Sequence, residues 1–200
     1  MTQDRELKQP LLQERFREAL QLAAQLHATQ IRKGTGTPYI SHLLAVASLV
    51  LEAGGDEDEA IAALLHDAVE DQGGVSVLDD IRTRFGGRVA EIVEGCSECY
   101  GEPKPPWRER KEAYLLHLTT SSPSVLLVSI SDKIHNARSV LTDYRRIGED
   151  LWGRFKGGRD GTLWYYRELL SVYRLTEHER LSEMIDEFDR IVSALKDEVN

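Results

Sequence analysis

The sequence predicts an all-α fold, a compact bundle of about eight to ten helices forming one domain over residues 1–200. Three observations carry that expectation. Apolar residues recur at steps of three and four through most of the chain, the period that places them on one face of a helix. Glycine pairs at 54–55, 73–74, 86–87 and 157–158 cut the chain into helix-length pieces, because glycine readily takes the backbone conformations that end a helix. The strand-like run VLLVSI at 125–130 continues at helical spacing through Ile134, Ala137 and Leu141, which absorbs it into a helix.

Taken in order, Leu12, Phe16, Ala19, Ala23 and Leu26 form the stripe of a first helix. RKGTGTPY at 32–39 holds two glycines and a proline and reads as a loop. Ser41 is expected to cap the helix of HLLAVASLVLEAGG. Asp56 and Glu59 have the spacing of a capping box, opening one continuous helix through DEDEAIAALLHDAVED. Ser76 with Asp79 is expected to open VLDDIRTRF, and RVAEIVEGCSE adds an amphipathic segment before the loop GEPKPP. Residues 107–119 read as helical, and Ser122-Pro123 supplies the cap and first turn of a buried helix over 123–144. GTLWYYRELLSVYRL follows the last glycine pair. Thr176 with Glu179 is expected to cap a final helix striped by Leu181, Ile185, Phe188, Val192 and Leu195.

Charge and composition exclude several classes of function. The 25 basic residues against 34 acidic ones give a net charge of −9, which disfavours long nucleic acid or an anionic membrane as partner and leaves small anionic ligands open. Cys96 and Cys99 are too few for a disulfide framework, and MTQDRELKQP lacks the basic start and apolar stretch of a secretory signal, so a cytoplasmic location is expected. No apolar run approaches the roughly 20 residues of a membrane span.

The chemistry concentrates in LLHDAVED, where His66 and Asp67 are adjacent and Glu70 and Asp71 follow within a turn. Residues three and four apart share a helix face, so these groups crowd one helical end. Buried together, the acids repel, and a divalent metal relieves that repulsion and accounts for imidazole beside carboxylate. His42 starts an apolar helix and Asp132 follows VLLVSIS, where an unpaired carboxylate is costly. His42, His66, Asp67 and Asp132 therefore form a candidate metal set, suited to Mn²⁺, Fe²⁺ or Zn²⁺ with positions left for water and substrate oxygen.

The blocks HATQIRKGTGTPYISHLLAVA, AALLHDAVED, FGGRVAEIVEG and SDKIHNARSVL, in this order, resemble the HD-type metal-dependent phosphohydrolases. The likeness is strongest to the hydrolase domain of RelA/SpoT-homologue alarmone enzymes and their small stand-alone relatives. It covers about residues 20–141, with the C-terminal helices at 160–200 beyond it. The resemblance implies that His42, His66, Asp67 and Asp132 hold the metal, usually Mn²⁺, and that Glu70 and Asp71 position and activate the attacking water. It implies removal of the 3′-pyrophosphate from (p)ppGpp or (p)ppApp, releasing pyrophosphate and the nucleoside 5′-phosphate. The partner is then a small anionic nucleotide, with neither a nucleic-acid polymer nor a membrane, and self-association into a homo-oligomer is common among the small relatives. Arg32 and Lys33 match the family pair near the purine. RKGTGTPYISH is one residue longer than the usual RKSGEPYIxHP, and Leu43 replaces its proline, so a changed base pocket is expected. At 200 residues the chain is expected to lack a synthetase domain. Two other readings stand beside this one: an HD phosphohydrolase for other nucleotides, and a non-catalytic module that binds a nucleotide. The presence of both Glu70 and Asp71 favours an enzyme.

A polyphosphate needs cations around it. Residues 138–167 carry seven basic and four acidic side chains, whereas 177–200 carry three and eight. Arg145, Arg146, Arg154, Lys156 and Arg159 are therefore candidates for a phosphate rim, and the expected substrate-binding set is Arg32, Lys33, Asn136, Arg138, Lys156 and Arg159. Plainer roles suit the remainder. His27 reads as a packed residue, His135 as bonded to backbone or Asp132, Cys96 and Cys99 as thiols without a metal, and the tryptophans with Tyr165 and Tyr166 as core.

Overall fold

The computed structural model describes residues 11–99, 103–176 and 178–199. Their helices are α1 (Glu14–Leu26), α2 (Ile40–Glu52), α3 (Glu57–Leu65), α4 (Ala68–Gln72), α5 (Val75–Phe85), α6 (Gly87–Cys96), α7 (Trp107–Leu118), α8 (Pro123–Ile147), α9 (Gly158–Leu175) and α10 (Ser182–Val199). Short 3-10 turns cover Gly148–Arg154 and Glu179–Leu181. Among the described residues there is no strand; an isolated bridge between Ile31 and Pro38 closes the neck of the α1–α2 loop. This is the all-α bundle that the periodicity predicts. No helix among these residues is long and apolar enough to cross a membrane.

α8 is the axis of the fold. It runs for 25 residues, of which 13 are buried, and it packs against α2, α6 and α10. The Ser122 hydroxyl accepts from the Val125 amide at 3.3 Å, with Pro123 in the first turn, as the Ser-Pro pair predicts. α3 runs beside it through the core, and Ala60 to Leu65 are fully enclosed. A helix that is apolar all round has no solvent face to offer.

The first turn of α3 carries three acids, of which Glu57 and Asp58 are half-buried and Glu59 faces inward. Glu59 completes the predicted capping box with Asp56 and is almost fully buried, where Arg180 grips it through two hydrogen bonds of 3.0 and 2.7 Å and Ser124 donates at 2.8 Å. Burial pushes its pKa up, but these donors prevail and hold it below the ordinary glutamate value.

Several helix starts differ from expectation. Ser41 lies inside α2, because the loop hydrogen bonds from Arg32 N to Thr37 O (2.8 Å) and from Tyr39 N to Gln30 O (2.9 Å) already direct the chain into the helix at Ile40. Ser76 lies inside α5: Gly74 precedes the helix at φ +60°, and the Ser76 hydroxyl donates back to Gly73 O. Thr176 ends α9 by donating to Tyr173 O at 2.7 Å. The last helix begins at Ser182, after the 3-10 turn from which Arg180 reaches Glu59. The expected continuous helix through LLHDAVED is also interrupted, between Leu65 and Ala68.

Candidate metal centre

Neighbouring side chains on a helix start out about 100° apart, and His66 and Asp67 stand where the regular helix is interrupted. Here α3 stops at Leu65, His66 and Asp67 make the turn, and α4 starts at Ala68. The turn brings Asp67 Oδ2 to 3.1 Å from His66 Nε2 and 3.5 Å from His42 Nε2. Asp132, from the middle of α8, closes the cluster with Oδ1 at 3.2 Å from His42 Nε2 and 3.8 Å from His66 Nε2. His42, His66 and Asp67 have ligand atoms all within 4.8 Å of one another.

The donor set fits a cation. Nε2 of His42 and Nε2 of His66 are buried and receive no hydrogen bond, which is costly for a polar atom unless something else fills its lone pair. Their other nitrogens are committed. His66 Nδ1 donates to Ala63 O at 2.8 Å, and His42 Nδ1 meets His135 Nδ1 at 2.7 Å. Burial, with His42 beside it, lowers the His135 pKa to about 4, so the His135 ring is neutral and one hydrogen is shared between the two Nδ1 atoms. Such outer partners are what orient imidazoles toward a metal. Burial opposes charge on Asp67 and Asp132, yet neighbouring groups hold both carboxyls well below the ordinary range: His66 and His42 for Asp67, Lys133 and the two histidines for Asp132. Both acids therefore remain anionic and available to a cation.

A second ring steadies the first. Tyr39 donates its hydroxyl to Asp67 Oδ2, and Lys133 Nζ donates to Asp132 Oδ2, each at 2.6 Å. Asn136 Nδ2 donates to Asp132 Oδ1, while Arg32 Nη2 donates to Asn136 Oδ1 at 2.8 Å. Arg32 is thereby coupled to Asp132 through one amide. His135 bonds to His42 rather than to backbone or Asp132.

The cluster opens into a cavity of about 850 Å³. Of the acids singled out in the sequence, Glu70 and Asp71 both line it, as do Arg32, Lys33, Asn136, Arg138 and Lys156. Arg154 joins them. Arg159 does not: it donates to Val199 O at 2.7 Å. Arg145 pairs with Glu198 and Arg146 with Asp143, and neither lines the cavity. Arg138 lines it but is engaged by Glu187. The basic excess of residues 138–167 is thus partly neutralised by the acidic last helix, which sequence-local counting could not register.

A second basic wall has no counterpart in the sequence reading. Lys104, Arg110, Lys111 and Lys133 line the cavity around Glu98, which binds Lys111 and lies 3.2 Å from Arg110. Arg110 and Lys111 sit in WRERKEAY, a mixed-charge run that reads as a solvated face, and their convergence depends on how α7 packs. Burial raises the Glu98 pKa, but Lys111, Lys133 and Arg110 hold it below its ordinary value. Burial, reinforced by Glu98 and Asp67, raises that of Glu70. Cys96 also lines the cavity, as a half-buried thiol whose pKa burial pushes up.

The family model described as HD domain matches residues 19–163. The human guanosine-3′,5′-bis(diphosphate) 3′-pyrophosphohydrolase MESH1 is 38% identical over 142 residues, covering 70% of this chain and 74% of that protein. A guanosine-3′,5′-bis(diphosphate) 3′-pyrophosphohydrolase of Aquifex aeolicus is 40% identical over 129 residues, 64% of this chain, which spans only 18% of that longer protein. A solved structure described as "A metazoan ortholog of SpoT hydrolyzes ppGpp and plays a role in starvation responses" superposes with a TM-score of 0.74, at 28% identity, over 91% of this chain and 97% of that one. With a family match across most of its helices and a relative this similar over most of both chains, the chain belongs to the HD-domain family, alongside the MESH1 and SpoT-type proteins.

Proposed function

We propose that this HD-domain hydrolase removes the 3′-pyrophosphate from an alarmone nucleotide, (p)ppGpp or (p)ppApp, in the cytoplasm, with Mn²⁺ as its metal. The observation that carries the reading is the convergence of the His42, His66, Asp67 and Asp132 ligand atoms at the edge of a cavity that also holds two further acids and a ring of cations. Those four side chains would hold the ion. When bound, it supplies a Lewis acid for a phosphoryl oxygen and lowers the pKa of water.

The chain's own groups divide the remaining work. Asp71, exposed to the cavity, accepts a proton from the attacking water as its oxygen bonds to the phosphorus next to the 3′ oxygen. Glu70, more enclosed and with a raised pKa, orients that water and shares the proton. The bond from phosphorus to the 3′ oxygen breaks, pyrophosphate leaves, and the 3′ oxygen takes up a proton to become a hydroxyl. Arg32, Lys33, Asn136, Arg138 and Lys156 from one side, and Lys104, Arg110 and Lys111 from the other, balance the phosphate charge. Arg32, 5.7 Å from the Tyr39 ring centroid, presents a guanidinium plane at the mouth of the loop for the purine.

The test is a panel of ppGpp, ppApp and ordinary nucleotides assayed for pyrophosphate release with Mn²⁺, Mg²⁺ or Zn²⁺. Release from an alarmone, greatest with Mn²⁺, is expected. Turnover of ordinary nucleotides alone would transfer the reading to a different phosphohydrolase, and nucleotide binding without turnover would make the chain a binding module. The mass of the same preparation in solution reads its oligomeric state.

A further inference from the structure

Asp71 sits on α4, which is only five residues long and ends at Gly73. A helix this short does little to hold its own side chains, and Asp71 is exposed. Its orientation comes from outside the helix. Gln30, in the loop after α1, donates Nε2 to Asp71 Oδ2 at 2.7 Å. Among the described residues no other group is seen to donate to that carboxylate.

The Gln30 amide is itself locked. Its Oε1 lies 2.6 Å from His27 Nδ1 and receives Gln72 Nε2 at 2.6 Å. Turning the amide over would set its oxygen against the Asp71 carboxylate and its NH₂ group against the Gln72 N–H, so its oxygen must face His27. His27 therefore carries its hydrogen on Nδ1; the competing approach of Gln72 Nε2 to the same nitrogen is longer, at 3.3 Å. His27 is 3% exposed and stacks on the Tyr39 ring at 5.2 Å between centroids. One buried imidazole thus backs both Gln30, which holds Asp71, and Tyr39, which holds Asp67.

We infer that Gln30 is a positioning residue for Asp71, holding one carboxylate oxygen so that the other faces the cavity as the proton acceptor. The inference rests on the hydrolase reading above. Gln30 borders the cavity, but its oxygen is occupied by His27 and Gln72, so it keeps no acceptor for a substrate. Its removal lets the Asp71 side chain sample several rotamers, and a displacement of about an ångström at a reacting group costs up to roughly 100-fold in rate. The effect belongs in kcat, with KM little changed.

The experiment compares wild type with Gln30→Met, which retains the volume and removes the amide, on ppGpp with Mn²⁺. The expected result is a kcat lower by about 10- to 100-fold, with KM, metal content and melting temperature unchanged. In an Asp71→Ala background the same substitution should have no further effect on the residual rate, because the two residues act as a unit. A readout without turnover is the side-chain amide NMR signal of Gln30 in the metal-free protein, slow to exchange and displaced by Asp71→Ala but not by Glu70→Ala. An unchanged kcat, an equal loss in the Asp71→Ala background, or an amide signal indifferent to Asp71 overturns the role. If Gln30→Met loses its folding transition, Gln30→Glu decides, since a carboxylate facing Asp71 must also lower kcat. A wild type inactive on every alarmone overturns the hydrolase reading together with this one, whereas an active wild type with an unaffected variant overturns only the role of Gln30.

Discussion

Tyr39 donates its hydroxyl hydrogen across 2.6 Å to Oδ2 of Asp67, the oxygen that also faces Nε2 of His66 and of His42. The bond fixes which way that ligand oxygen points. Removing such an outer partner typically weakens metal affinity by about 10- to 100-fold, so Tyr39→Phe should lose Mn²⁺ affinity on that scale in a calorimetric titration. Equal affinity would reduce Tyr39 to a packing role.

The metal should also stabilise the fold. Without it, two carboxylates and two unpartnered imidazole nitrogens face one another in a largely buried site. A ligand present at about 100 times its Kd adds ~2.7 kcal/mol, which for a domain of this length is a melting-temperature rise of ~5–10 °C. Scanning calorimetry of chelated and Mn²⁺-loaded protein measures it, and His66→Ala should abolish the rise.

Glu70 should trade stability for activity. Its pKa is raised by burial, then by Glu98 and Asp67, so the folded chain binds this proton more tightly than the unfolded chain does. Its contribution to stability is therefore fully present below the ordinary glutamate range and is lost as pH rises through the raised value. At pH 7 the charge is a net cost. Glu70→Gln should melt ~1–3 °C higher than wild type at pH 7, show no such advantage at pH 4, and lose ~100-fold or more in kcat.

The Arg180 clamp should respond to acid in the opposite sense. The Glu59 pKa is depressed, so its contribution is present above the ordinary glutamate range and lost as pH falls through the depressed value. Arg180→Met leaves a buried carboxylate with Ser124, the Asp56 amide and the more distant Arg88 at 3.9 Å. Because Arg180 is partly exposed, the expected cost is modest, ~1–2 kcal/mol at pH 7. Chemical denaturation at pH 7 and pH 4 should show that difference shrinking on acidification.

Helices were legible because their signals are local. Glycine pairs, the Asp56–Glu59 box and the Ser122-Pro123 cap act within a few residues, and each lies where its spacing predicts. The candidate ligands were legible by type, since His42, His66, Asp67 and Asp132 are polar groups in apolar surroundings. Three features were not. The turn at His66-Asp67 has no glycine or proline to announce it, and both residues keep right-handed helical backbone angles, so nothing local marks the interruption. The wall of Arg110 and Lys111 depends on the approach of α7 to Glu98, and the start of α10 on the reach of Arg180 to Glu59. The last two are tertiary relations between segments that look ordinary alone.

α8 carries Asp132, Lys133, Asn136 and Arg138 toward the cavity and Leu126, Leu127, Ile130 and Ile134 into the core. Tolerance to mutation should therefore be uneven along the chain. A substitution that shifts this helix by a fraction of an ångström disturbs folding and turnover together, while the exposed loop at residues 33–38, between Arg32 and Tyr39, can vary without reaching the core. Diversity among natural or laboratory variants with altered nucleobase preference should accumulate in that loop and be sparse along α8, and deep mutational scanning would display the contrast directly.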